Sequence, residues 1–503
     1  MAITPTIPPR PARRPTRPAS PRPPRPPRST SSAPPRRRIA RNFAAMTAAE
    51  LVCRAATFLV TLALARRLGS ELCGRLEFAF GVVVWLTMLV RDGLEVIAAR
   101  EIARHPRLIR PLVGLILAVK GALAAGLYAG LVGAGALSLS TGTERATLAL
   151  YGLLLATTAL GVDFVFRGTE RMGLLAASLV LRSAVYALGV AFWVVRPDRL
   201  LWVPAFLVFG ELCGIALVWA VYLRRYGPPR PAFGGLALGV LIKRGRSVYV
   251  IQIAQTVVVS VDLLVVNLVF PYRAIGLYSL PHRMATVALT FGLILQQVIF
   301  PALARSWRGR PDAARLALDA SVRVLMIGLV PLAVGATVLA GPLVRLLHLP
   351  AGYDGAGALL ALGIWRAPLL TLAYLYQTAL IALNRESAGA GLLVGGAIGA
   401  GPVVATLGWA FGLSGAAAGV IVIGLALVGA GYWRLARERR QPAWHHHLGL
   451  PLLASAAMIP ACLALRHTHV LIAVLGGALA YLLALAALGG LRRQDIEALL
   501  GRG

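Results

Sequence analysis

Nine ionisable residues lie well inside long apolar runs: Glu50, Arg54, Lys120, Asp163, Arg182, Glu211, Asp262, Arg283 and Arg366. A charge in the middle of a hydrocarbon layer costs at least about 2.5–3.5 kcal/mol, so such residues pair with one another or face water. Left in lipid, all nine would cost on the order of 20 kcal/mol, more than the net stability of a typical fold. Five of the nine are basic and four acidic. The basic set, Arg283 with Arg54, Lys120, Arg182 and Arg366, suits an anion held in a hydrated cavity. The acids Asp262, Glu50, Asp163 and Glu211 suit ion pairing or the carriage of a coupling H+ or Na+. Glu50 and Arg54 are spaced i, i+4, as are Asp163 and Arg167, which puts opposite charges on one helix face. Such a pair can be opened by a proton, a sodium ion or an anionic ligand.

Helical spacing gathers polar residues around these charges. Ser279, Arg283, Thr286, Thr290 and Gln297 fall within about 60° of arc at 100° per residue. Gln252, Gln255, Thr256, Ser260, Asp262 and Asn267 fall within about 160°, opposite a Val/Leu face. Arg366, Gln377 and Asn384 share a third face. These are polar stripes on apolar helices, the pattern either of helix–helix hydrogen bonding in a packed bundle or of a water-lined surface, which Arg283 in the first stripe favours.

The elements that carry the stripes are membrane spans. Of 503 residues, 58% are hydrophobic and only 14% charged, against about 25% charged in soluble domains. Apolar stretches long enough to cross about 30 Å of hydrocarbon run over 42–65, 76–97, 111–137, 146–166, 173–195, 201–223, 247–270, 275–300, 323–347, 356–383, 387–408, 412–433, 448–465 and 470–490. Fourteen spans are therefore expected. With the N-terminus inside, the cytoplasmic loops hold 22 basic residues and the external loops nine. The positive-inside rule then places both termini in the cytoplasm. Residues 1–41 carry 11 Arg and no acid among many prolines, which predicts a disordered cytoplasmic tail able to touch anionic lipid headgroups. The remaining segments are 42–223 (spans 1–6), a cytoplasmic linker at 224–246, 247–436 (spans 7–12) and 437–503 (spans 13–14 and a short tail).

The net charge of +32 does not point to nucleic acid, because the charges sit between apolar runs or in the tail rather than along a solvated stripe. Cys53, Cys73, Cys213 and Cys462 are widely separated and read as small core residues. His445, His446 and His447 lack acidic or cysteine companions that would make a metal site. No metalloprotease, DxD or Walker-type motif occurs, and no catalytic group is found on a sizeable outer loop. Neither an enzyme nor a bound cofactor is expected.

Several segments, in order, resemble the polysaccharide (O-antigen type) flippases of the multidrug/oligosaccharidyl-lipid/polysaccharide exporter superfamily. They are LALARRLGSELCGRLEFA at 62–79, LEVIAAREIARHP at 94–106, SVDLLVVNLVFPYRAIGLYSLPHRM at 260–284, QQVIFPALARS at 296–306, 330–357, TALIALNRESAG at 378–389 and GWAFGLSGAAAG at 408–419. The likeness covers about 42–436. The stretch from Asn267 to Phe270, the His348-Leu349-Pro350 step and the Pro/Arg-rich tail depart from the family pattern. The resemblance implies an all-α polytopic membrane protein, with two six-helix lobes around a central cavity and a C-terminal helix pair. It further implies alternating access at the inner (cytoplasmic) membrane. The substrate implied is a polyprenyl-pyrophosphate-linked oligosaccharide, the partners membrane lipids and other polysaccharide-assembly proteins. Asp262 and Arg283 stand at family motif positions. A cation-coupled small-molecule exporter of the same superfamily is the alternative, favoured by acidic and aromatic rather than basic cavity walls.

Overall fold

A computed structural model describes residues 35–489 apart from 92–93, 231–234, 307–310, 384, 439–441, 443–447 and 468. The chain divides into two units, Met1–Arg41 and Asn42–Gly503. Every regular element among the described residues is helical.

The first half holds α1 (Pro35–Arg91), α2 (Leu94–Arg104), α3 (Ile109–Ser138), α4 (Gly142–Leu160), α5 (Asp163–Gly168), α6 (Met172–Trp193) and α7 (Trp202–Tyr226). The second half holds α8 (Gly235–Val269), α9 (Tyr272–Ser306), α10 (Pro311–Val338), α11 (Ala340–Leu346), α12 (Ala356–Gly363), α13 (Arg366–Ala382) and α14 (Glu386–Arg437). A terminal pair follows, α15 (Gly449–Leu465) and α16 (Val470–Ala487). Within the first lobe α3 lies on α4, α4 on α7 and α6 on α7. Within the second, α14 lies on α8 and α13, and α9 on α13. The terminal pair docks on α10, where Met458, Cys462 and Tyr481 close a small core against Leu339.

Among the described residues, ten helices are long and apolar enough to cross a membrane, against fourteen expected spans. Part of the difference is fusion. At 57 and 52 residues, α1 and α14 would each far exceed a bilayer at 1.5 Å per residue. Each instead bends once, at Gly69 (φ 74°) and Gly412 (φ 66°). A side chain is strained at positive φ, so glycine lets the chain turn there from one helix into the next. The expected linker at 224–246 also shortens, because α7 extends to Tyr226 and α8 begins at Gly235.

Three expected spans are interrupted. Span 4 breaks between α4 and α5 at Gly161–Val162, span 9 at Leu339, and span 10 between α12 and α13 at Ile364–Trp365. A break frees backbone groups that lipid cannot satisfy, so partners must come from within the protein. The outer faces carry large apolar side chains such as Leu137, Leu475 and Trp409, as a lipid solvent requires.

Candidate functional site

The two lobes meet at one end with main chain close against main chain. A methyl group built at Gly276 of α9 would overlap the Ser70 carbonyl, and one at Gly74 would overlap the Tyr272 carbonyl. Arg66 Nε adds a hydrogen bond of 2.7 Å to the Leu347 carbonyl. Leu280, Tyr353 and Ala356 join the first lobe's apolar core at this end.

Beyond this seam lie two cavities. The smaller, about 200 Å³, is lined by Tyr151, Tyr186, Tyr353, Phe80, Arg182 and Glu211 among others. The larger, about 570 Å³, opens toward Glu50, Arg54, Arg91 and Arg167. Thr57, Glu77, Phe80 and Arg283 line both. Arg283 Nη2 donates to Glu77 Oε1 at 2.5 Å, and the ring of Phe80 lies 5.8 Å from the guanidinium carbon. This ion pair joins the lobes, α1 to α9, and the Asn267 amide adds a bond to the Glu77 carbonyl at 3.4 Å. The larger cavity carries four arginines and two glutamates, an excess of two positive charges. The smaller carries two of each.

The nine expected site residues divide between these cavities and the interior. Arg54 and Glu50 stand in the larger cavity, 3.4 Å apart and both partly exposed. Arg182 and Glu211 stand in the smaller one, Nη1 to Oε2 at 2.9 Å. Asp163 does not pair with Arg167. It starts the short α5 just after the Gly161 break, and its carboxylate meets Arg182 Nη2 at 3.4 Å. One guanidinium thus serves two carboxylates, while Arg167 is exposed in the larger cavity.

Lys120 and Arg366 correct the expectation of a five-cation cavity wall. Lys120 is fully buried, its Nζ 2.9 Å from Glu95 Oε1 and 3.3 Å from the Gly161 carbonyl. The ammonium satisfies the carbonyl that the break exposes, and Glu95 neutralises it. Arg366 opens α13 after the other break and is 1% exposed. It donates to Asp262 Oδ2, which also accepts from the Tyr278 hydroxyl at 2.6 Å. His282 Nδ1 lies 3.0 Å from Asp262 Oδ2 and 2.9 Å from Arg366 Nη1. A guanidinium only donates, so toward Arg366 this nitrogen is an acceptor. Asp262 therefore serves Arg366 and not Arg283. Only His282 of this cluster reaches the larger cavity.

Three side chains of these clusters were not singled out from sequence. Glu77 and Glu95 fall near the edges of expected span 2, where a charge draws no attention. His282 is neutral and escapes a census of charges, although it directly precedes Arg283. The polar stripe on α9 is traced here through Thr290; the Gln297 side chain and Asn384 lie outside the described residues.

A helical bundle with two lobes, a cavity between them and a terminal helix pair is the architecture of the multidrug/oligosaccharidyl-lipid/polysaccharide exporters. The fold matches a lipid II flippase, MurJ in an inward closed conformation, at TM-score 0.71 and 13% identity, over 88% of this chain and 98% of that one. An inward-facing multidrug resistance transporter of the MATE family matches at 0.63 and 13%, over 77% and 96%. The multidrug transporter DinF-BH matches at 0.57 and 15%, over 82% and 98%. No curated protein matches the chain. A polysaccharide biosynthesis protein family model matches residues 39–307. The chain belongs to that family, and is a multi-pass membrane protein with the fold of these solved flippase and multidrug-transporter structures.

Proposed function

We propose that the protein flips a polyprenyl-diphosphate-linked oligosaccharide across the cytoplasmic membrane by alternating access, for cell-surface polysaccharide assembly. The observation that carries this reading is the positive excess of the larger cavity, with Arg283 in its wall. A diphosphate needs several cations in a low-dielectric site, and the planar guanidinium meets phosphate oxygens in pairs. The anion enters past Arg54, Arg91 and Arg167 and takes the place of Glu77 on Arg283. The ion pair that joins the lobes is then exchanged for a bond to cargo, which frees them to rock. Arg182 stands one compartment deeper. Lys120 and Arg366 act structurally, each within its own lobe. Glu211 and Asp163, sharing one arginine, are the acids best placed to carry a coupling H+ or Na+, with Glu50 at the mouth. Both termini lie in the cytoplasm, so reporter fusions after residues 230 and 440 read inside and one near Asp354 outside. Other polysaccharide-assembly proteins would receive the cargo.

The test is flipping of lipid-linked oligosaccharide in proteoliposomes. Arg283→Ala lowers the rate at least tenfold at unchanged membrane abundance, and Arg283→Lys restores it in part. A normal rate in Arg283→Ala would overturn the cationic site.

A further inference from the structure

We infer that the smaller cavity is a subsite for one sugar ring, and that cargo enters sugar first with its diphosphate behind. The inference rests on the lipid-linked substrate proposed above. Four observations carry it. The cavity holds about 200 Å³, the room of roughly seven waters at about 30 Å³ each, which fits a single ring and not a chain. Its walls are aromatic, formed by Tyr151, Tyr186, Tyr353 and Phe80. A sugar ring presents C–H faces and a rim of hydroxyls, and tyrosine matches both with an apolar face and a polar tip. The hydroxyls of Tyr151 and Tyr186 bond to no other group among the described residues. Finally, Glu77 is more than nine-tenths buried, lines this cavity, and has an Oε2 with no hydrogen-bond partner. A buried carboxylate oxygen left unpaired is costly, and a ligand hydroxyl would satisfy it.

Charge separates the two compartments in the same sense. The tyrosine-lined cavity balances two arginines with two glutamates, whereas its neighbour carries a positive excess. A neutral polyhydroxyl group belongs in the first and a diphosphate in the second. Arg283 and Glu77 stand in the wall common to both, where the bond between sugar and phosphate would lie. An organic cation would meet Arg182 and Arg283 on the same walls and is disfavoured.

The experiment compares two ligands on the full-length protein in lipid nanodiscs: undecaprenyl diphosphate, and the same lipid carrying one hexose. The wild-type protein is expected to bind the sugar-bearing lipid about tenfold more tightly, a difference of about 1.4 kcal/mol. Tyr186→Ala and the milder Tyr151→Phe should remove most of that advantage and leave the bare lipid's affinity unchanged. The retained affinity shows that each variant is folded. Arg283→Ala should weaken both ligands. Equal wild-type affinity for the two lipids overturns the sugar subsite while leaving the flippase reading in place. A parallel loss of both ligands in the tyrosine variants also overturns it. Failure of the wild type to bind either lipid, with binding of an aromatic cation such as rhodamine, overturns the flippase reading itself.

Discussion

The two lobes bury their charges in different ways. In the first lobe the acids and bases are spread over two places. Lys120 and Glu95 seal the Gly161 break, and Arg182 stands against water between Glu211 and Asp163. In the second lobe Asp262, Tyr278, His282 and Arg366 form one sealed cluster beside the α12–α13 break. Both lobes interrupt a span and place a buried cation beside the interruption, but the first also puts Arg54, Arg91, Arg167 and Arg182 on the cavities and the second only Arg283. The lobes are thus equivalent as scaffolds and unequal as walls. On the proposed function, the second lobe's contribution to binding narrows to Arg283, with His282 as its neighbour.

The largest expected effect comes from opening the second lobe's cluster. Arg366→Met leaves Asp262 buried and unpaired, which should cost about 3–5 kcal/mol and deplete folded protein from the membrane. Combining it with Asp262→Asn should recover part of the abundance, read by thermal melting and membrane quantification. If the single variant melts like wild type, the cluster is not structural. Lys120→Met in the first lobe should cost slightly less, about 3 kcal/mol, because Glu95 retains some access to water. Next, Gly276→Val should hold the seam apart. A Ser70→Cys reporter should then react several-fold faster with an impermeant maleimide while export falls; unchanged labelling would show that the seam yields to a side chain. Arg182→Gln should lower melting by only about 1–2 kcal/mol, since Glu211 and Asp163 can turn to solvent, yet slow transport. Smallest of all, deleting residues 1–38 while keeping Arg41 should leave insertion and export near normal. Lost export at normal abundance would assign the tail a specific partner.

Much of the architecture is legible in the residues because hydrocarbon imposes length and apolarity on each span. The helix boundaries around 172–193, 449–465 and 470–487 lie close to the apolar runs for that reason. Pairing is less legible. Arg283 and Glu77 are 206 residues apart, and no local spacing marks them as partners. The i, i+4 rule misdirects at Asp163: it shares α5 with Arg167, but its carboxylate is engaged by Arg182 from α6, a partner that no local spacing reveals. Counting charges finds Lys120 and Arg366 but not where they face. A buried structural cation and a cavity-lining one have the same sequence signature, and only the surroundings separate them.

The glycine seam at Ser70, Gly74 and Gly276 has a consequence for how such a carrier diversifies. A closure made by main chain against main chain reads nothing about the cargo. On the proposed function, preference for a different glycan would arise by exchanging side chains in the tyrosine-lined chamber while the seam is inherited unchanged. Selection on what is carried and selection on how the door closes would act on separate sets of codons.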